Sequence, residues 1–489
     1  MSIGTLIKRM QNIMRGDDLS GTVQYLKQMI WMVFLKVYDA KEQEWELDDD
    51  NYLSIIPEHL KWRSWADDEN DGKALTGDDL IKFVNNELID TLKKLEVDEN
   101  TPKKHLIVKN IFEDASNFMK DGVKLRQMIN ALNEIDFTNY KQAHEFGDLY
   151  ESMLKDLQES KRDGGEFYTP RALTDFIVEM VDPRLGEQIA DFACGTGGFL
   201  ISALKRIENK VETNEDLKIC RSSIFGIEKK SFAYSLGLTN LILHDVDEPR
   251  MYYDNSLKYN VRNFSESDLF DVILMNPPYG GTEDAIVQMN FPQEYRASET
   301  ADLFMAVIMY RLRTNGRVGI VLPDGFLFGD GAKHNLKEKL LNEFNLHTVI
   351  RLPKSVFAPY TSIATNVLFF DECSDGTQDT WFYRMDMPEG YKAFSKTKAI
   401  QSQHFQPVRD WWTNREEFTD NEGFPKAKRY SKQELVAGGY DFDLCGFPHK
   451  VEEILEPDVL IRSYLEKKSE LDQGIQHTLD QIMQLINQK

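Results

Sequence analysis

Four consecutive residues, Asn276-Pro277-Pro278-Tyr279, follow directly on the apolar run Asp271-Val272-Ile273-Leu274-Met275. By average residue frequencies this tetrapeptide arises by chance in roughly one chain of this length in several hundred. Prolines fix the backbone, so the Asn276 side-chain oxygen and the Pro277 carbonyl can converge on one point. Two acceptors held together suit an amino group with two hydrogens, and Tyr279 offers a flat face on which a base can stack. The amino nitrogen of adenine is a poor nucleophile because its lone pair is delocalised into the ring. Accepting both hydrogens draws that nitrogen toward tetrahedral geometry and concentrates the lone pair toward an incoming methyl group. With a sulfonium donor, already a good electrophile, positioning and electrostatics can supply most of the catalysis. Neither a metal nor a covalent enzyme intermediate is then needed. An adenine in duplex DNA must first be flipped out of the stack to reach such a turn. The competing reading is a rigid strand-to-loop connection.

Two upstream segments could hold a donor. Asp191-Phe192-Ala193-Cys194-Gly195-Thr196-Gly197-Gly198-Phe199 follows an apolar strand-like run and opens an apolar helix-like one. Glycines there allow a tight turn and let backbone N–H groups approach a ligand at the helix N-terminus. Asp191 can receive the ammonium of an amino-acid-like ligand, and Glu228, closing the next run, can accept both hydroxyls of a ribose. The loop is not G-x-G-x-x-G, which weighs against a nicotinamide cofactor. In Gly164-Gly165-Glu166-Phe167-Tyr168-Thr169-Pro170-Arg171, the Thr169-Pro170 pair suits the N-cap and first turn of the helix ALTDFIVEMV. A tight strand–helix connection and a plain helix cap are the alternatives for the two segments.

The elements that must position these residues follow from the pattern of apolar residues. Residues 1–155 read as an all-α domain, with a buried helix over Gly21 to Asp39 and further helical periodicity at 80–95 and 148–162. Residues 156–390 alternate short apolar runs with helix-length segments, the signature of a doubly wound α/β sheet. Its last two runs, HTVIRLP and TNVLFFDE, are joined by a loop, which predicts an antiparallel pair at the sheet's end. Residues 391–456 turn polar and aromatic and predict irregular structure. In 457–489, Ile461, Tyr464, Lys468, Leu471, Ile475, Leu479, Ile482 and Ile486 recur three and four apart. They fit either a coiled-coil seam or an ordinary amphipathic helix.

Composition bounds these readings. A chain of 489 residues accommodates two to four domains, and 41% hydrophobic with 28% charged residues is the balance of a soluble globular protein. The first residues lack an apolar core and a cleavage site, so they read as mature protein, and no apolar run is long enough to span a bilayer. Cys194, Cys220, Cys373 and Cys445 are far apart, which argues against a disulfide framework or structural zinc and fits a reducing cytoplasm. With 58 basic against 81 acidic residues the net charge is −23, the wrong sign for an unaided grip on DNA phosphates.

The three motifs, in this order, resemble the gamma class of DNA N6-adenine methyltransferases. The acidic helical N-terminal region, T-N-L-I-L-H-D, D-N-S-L, V-L-P-D-G-F-L-F and T-N-V-L-F-F further resemble the modification subunit of Type I restriction–modification systems. The resemblance covers nearly the whole chain, the final helix matching in character only. It implies that Glu166, Phe167, Tyr168, Thr169, Pro170, Arg171, Thr196, Gly197, Gly198 and Glu228 line an S-adenosylmethionine site. Asn255 would lie near the cofactor's adenine, and Asn276, Pro277, Pro278 and Tyr279 would hold the target adenine. Phe357 would be a second aromatic clamping the flipped base, with a core phenylalanine as the alternative.

The resemblance also implies a separate specificity subunit that reads the DNA and binds two copies of this chain. A restriction subunit would join the full complex, and the final helix would dock the specificity partner. A partner that reads the DNA resolves the charge problem. Two other readings remain: a methyltransferase acting on a glutamine side-chain amide, and a non-catalytic assembly scaffold.

Overall fold

Helix α1 (Ile3–Gly16) turns Leu6, Ile7, Met10 and Met14 inward at the three- and four-residue spacing of an amphipathic helix. Helix α2 (Gly21–Asp48) is apolar nearly all round from Met29 to Leu35, and that whole stretch is buried. Its last turns, beyond the predicted end near Asp39, carry the polar sequence KEQEWELD. Helices α3 (Lys103–Glu113) and α4 (Gly122–Asn133) pack into the same core, and Asp121 caps α4 by accepting from the Val123 and Lys124 N–H groups. The computed structural model describes residues 3–67, 74–98, 101–139, 145–148, 150–151, 153–154, 168–395, 397–447 and 457–487. Among these, no strand precedes Ile189.

Beyond helix α5 (Arg171–Val181), the alternating pattern builds one ten-stranded sheet. Its strands are β1 (Ile189–Asp191), β2 (Ile224–Glu228), β3 (Arg250–Tyr253), β4 (Phe270–Met275), β5 (Leu312–Pro323), β6 (Phe344–Arg351), β7 (Thr365–Glu372), β8 (Asp379–Arg384), β9 (Phe418–Thr419) and β10 (Pro425–Ser431), in the order β3-β2-β1-β4-β5-β7-β6-β8-β10-β9. The first five in that order are mutually parallel. Helices α6 (Gly198–Glu208) and α7 (Ser231–Leu243) cover one face together with α5. Helices α8 (Thr300–Arg311) and α9 (Ala332–Glu343) cover the other. The hydrophobic core of the N-terminal helices is continuous with that of the first face.

The strand order reverses between β1 and β4, which pair directly with Ile189 opposite Val272. A crevice opens at the carboxyl ends of strands at such a point. Asp191 ends β1 and Asn276 follows β4, so the two motifs leave adjacent strands side by side.

Two expectations differ from the fold. β6 and β7 do form an antiparallel pair, but the sheet continues past them: β8 lies parallel to β6, and β10 antiparallel to β8. The stretch 391–456 is correspondingly less irregular than its composition predicts. It contributes β9, β10 and the short helix α10 (Gln406–Thr413). A strand half open to solvent, such as the Pro-Lys-Ala-Lys-Arg-Tyr-Ser of β10, shows no apolar run to read.

The described chain divides into two compact units, Met1–Gly446 and Phe447–Lys489. In the second, helix α11 (Pro457–Asn487) runs through Gly474 and leaves the seam residues Ile461, Tyr464, Leu471, Ile475 and Leu479 exposed.

Candidate active site

The loop after β1 is shaped by glycine. Gly195 and Gly197 adopt positive φ of 53° and 78°, a region that side chains disfavour. A Cβ on Gly198, the first residue of α6, would lie 1.9 Å from Arg171 Nη1. Three side chains fasten this loop. Glu228 Oε2 accepts from the Gly195 N–H at 2.9 Å and Oε1 from the Lys230 N–H at 2.7 Å. Ser256 Oγ donates to the Phe192 carbonyl at 2.6 Å, and Asn240 Nδ2 to the Thr196 carbonyl at 3.0 Å. Glu228 is therefore already a loop anchor, with both carboxylate oxygens turned to the loop and to the start of the next turn.

Asp191 is 2% exposed, and its Oδ1 accepts from the Ala193 N–H at 3.0 Å. Burial, with the Glu228 carboxylate adding to it, pushes its carboxyl up to about 8, against the Ala193 hydrogen bond. A buried carboxylate in that position is stabilised by an incoming cation. The Thr196 hydroxyl is buried without a hydrogen-bond partner, a further group that a ligand would satisfy. Asn255 caps the turn Ser256–Lys258 by accepting from the Leu257 N–H at 3.0 Å.

Across the crevice, Asn276 Nδ2 donates to Thr169 Oγ1 at 3.1 Å, and its Oδ1 accepts from the Tyr279 hydroxyl. Burial pushes the Tyr279 phenol well up, keeping it a donor. The Asn276 oxygen that the sequence offers to an amine thus already accepts from a local donor, as a polar atom in a sheltered site does. Thr169 does not cap α5. Pro170 stands at the cap with no side-chain cap bond, because the Thr169 hydroxyl is turned to Asn276. Pro277 is buried and Pro278 exposed. Phe357 is 4% exposed and meets Tyr279 edge-on, with ring centroids 6.2 Å apart and planes at 82°, so the two rings do not face each other as a flat slot.

A cavity of about 380 Å³ gathers Thr169, Asp191, Thr196, Gly198, Glu228, Asn255, Asn276, Pro278 and Tyr279, a volume in the roughly 300–1,000 Å³ range of small-molecule sites. Tyr168, Pro170 and Arg171 instead line a hollow of about 230 Å³, with the Arg171 guanidinium 5.0 Å from the Tyr168 ring centre. Glu166 and Phe167 lie outside the described residues. No role was legible in the sequence for Gly237, Asn240, Ser256 or Glu283, although two quoted segments contain Asn240 and Ser256. A Cβ on Gly237 would lie 2.7 Å from the Gly195 carbonyl oxygen, and a lone glycine inside the apolar helix SFAYSLGLTNLIL was its signal. Glu283 pairs with Lys229 at 2.8 Å, both at the cavity.

The cavity thus places a buried carboxyl group, glycine-loop N–H groups and a polar Asn-Pro-Pro-Tyr turn around one space. The N-6 DNA Methylase family matches residues 141–445 and the HsdM N-terminal domain matches residues 3–132. Over 476 residues the chain is 44% identical to the type I restriction enzyme EcoEI methylase subunit of Escherichia coli, covering 96% of each. The chain belongs to the type I methylase subunits.

Solved structures agree. The modification subunit of a type I restriction enzyme from Vibrio vulnificus YJ016 superimposes with a TM-score of 0.76 at 38% identity, over 89% of this chain and 93% of that one. A chain from a study of complex assembly and conformational transition in the type I R-M system gives 0.81 at 34%, over 99% and 98%. As a type I methylase subunit, the protein is an N6-adenine DNA methyltransferase of a restriction–modification system. Among the described residues, no cluster of His, Cys, Asp and Glu is arranged to hold a metal, and no helix is long and apolar enough to cross a membrane.

Proposed function

We propose that this type I methylase subunit transfers the methyl group of S-adenosylmethionine to the N6 amino group of an adenine flipped out of DNA. The observation that carries this reading is the convergence of Asp191 and Asn276, from the adjacent strand ends of β1 and β4, on one cavity. The donor set suits the cofactor group by group. Asp191 takes the ammonium, the Thr196-Gly197-Gly198 backbone and the start of α6 take the carboxylate, Glu228 the ribose and Asn255 the adenine. Arg171 lies against Gly198 and supports the carboxylate from behind the loop. The family pattern further assigns Glu166, Phe167, Tyr168 and Pro170 to cofactor binding. When bound, the cofactor supplies an electrophilic methyl on sulfur.

The chain's own residues prepare the acceptor. Asn276 Oδ1, exchanging the Tyr279 hydroxyl for the substrate amine, and the Pro277 carbonyl accept the two N6 hydrogens, while Pro277 and Pro278 keep the turn rigid. Tyr279 stacks on the base, and Phe357 bounds its other side after rotating from its edge-on contact. The amine proton leaves to water after transfer, and no metal is required.

Residues 1–155 form the helical N-terminal domain, 156–390 the methyltransferase domain, 391–456 its extension and 457–489 the assembly helix. Two copies join one specificity subunit, which selects the DNA site; a restriction subunit adds cleavage of unmodified DNA, from which methylation protects the host. The protein works in the cytoplasm. The net charge of −23 supports a partner that provides the basic DNA-reading surface, and the exposed seam of α11 supports a docking role for that helix.

Labelled S-adenosylmethionine and unmethylated DNA, with and without the specificity partner, test this. Label on adenine N6 only with the partner present is the expected result. Label on protein would favour a glutamine-amide acceptor, and none in the full assembly would favour a scaffold.

A further inference from the structure

Glu151 belongs to none of the motifs, yet its carboxylate joins two elements at the cofactor loop. It lies in a helical stretch at the end of the N-terminal region, next to Tyr150, whose hydroxyl donates to the Leu236 carbonyl of α7 at 3.4 Å. Glu151 Oε2 accepts from Arg171 Nε at 3.1 Å, with side chains only 12% and 17% exposed. Its Oε1 accepts from Asn240 Nδ2 at 3.1 Å. Asn240 is fully buried in α7, and the same amide nitrogen donates to the Thr196 carbonyl. The chain of contacts therefore runs from the N-terminal region through one carboxylate to the loop that lines the cavity. A second branch runs through Arg171, whose Nη1 occupies the space that a Cβ on Gly198 would need.

We infer that Glu151 is a positioning residue for cofactor binding, holding Arg171 against Gly198 and Asn240 against Thr196 so that the loop is preformed. The inference rests on the cofactor assignment proposed above. The physical reason is that both terminal nitrogens of Arg171 are buried without hydrogen-bond partners. Glu151 is the carboxylate bonded to that guanidinium, so neutralising it leaves a buried cation without its counter-charge. Such a cation moves toward water and withdraws its support from Gly198. Burial alone would raise the Glu151 carboxyl; Arg171 and His244 more than offset this and hold it below its ordinary range, so the charge is present at neutral pH. Glu151 thus ties the helical segment that precedes α5 to the cofactor loop.

Glu151→Gln keeps the shape and removes the charge. In the complex with the specificity partner, the KM for S-adenosylmethionine is expected to rise roughly tenfold or more, with kcat at saturating cofactor within about twofold of wild type. Asn240→Ala should raise the same KM, and the double variant should cost less than the product of the two, since both act through one loop. A merely structural role predicts a lower melting temperature with an unchanged KM, and that result would overturn the inference. If Glu151→Gln does not fold, Asn240→Ala decides alone, by calorimetry with S-adenosylmethionine: wild-type affinity in that variant refutes the relay. Wild-type protein that binds no S-adenosylmethionine in the same calorimeter would refute the cofactor assignment itself, a distinct result.

Discussion

At the scale of single residues the proposed chemistry depends on two polar side chains held in sheltered places by their neighbours. Asn276 is fixed at both ends, its amide by Thr169 and its oxygen by Tyr279. Asn276→Ala is expected to lower methyl transfer at least about a hundredfold, while calorimetry finds cofactor affinity intact; loss of cofactor binding would contradict the role assigned to the turn. Asp191 makes a pH prediction. The folded protein without cofactor retains the Asp191 proton up to about pH 8, whereas the unfolded chain releases it near about pH 4. The folded state thus binds more protons between these values, and its stability falls as pH rises through that window. An ammonium ligand requires the carboxylate, so it binds with release of a proton. The rise in melting temperature given by saturating cofactor should therefore grow from about pH 6 to about pH 8, and Asp191→Asn should flatten it. Equal shifts in the wild type at both pH values would refute the pairing.

At the scale of elements, the site is a consequence of two strand ends and two tightly packed helices. Gly237→Ala places a methyl group 2.7 Å from the Gly195 carbonyl oxygen. It should weaken cofactor binding and destabilise the protein by about 1–3 kcal/mol, read by calorimetry and thermal melting; a variant with wild-type affinity would show that α7 can retreat without moving the loop. The strands that carry Asp191, Glu228 and Asn276 were legible because parallel strands buried on both faces read as short apolar runs. The Asn-Pro-Pro-Tyr turn and the glycine loop were legible because few other residues can make them. Legibility failed where the deciding contact lies between distant segments. The Thr169 hydroxyl serves Asn276 and not its own helix, and Glu151 and Asn240 act on the loop from two other helical segments. Neither pattern nor spacing encodes such pairings. The strands β9 and β10 were missed because a half-exposed strand carries charges that composition assigns to loops.

At the scale of the whole molecule, a strongly acidic chain that acts on DNA must share the task. The second unit carries an exposed apolar seam on α11, with Leu471 67% and Tyr464 64% exposed, as the docking role proposed for that helix requires. Removal of the chain from Pro457 onward should leave a folded methyltransferase unit with an unchanged melting transition that no longer co-elutes with the specificity partner in size-exclusion chromatography. Co-elution at the wild-type volume would place the docking surface elsewhere.

A crystal of the protein soaked with S-adenosylmethionine probes the proposed site without intermediaries. The expected structure has the ammonium on Asp191, the ribose on Glu228 and the methyl-bearing sulfur facing the space beside Asn276 and Pro277. A cofactor bound elsewhere, or one whose sulfur faces away from an Asn-Pro-Pro-Tyr turn with no room between them for a purine, would contradict it.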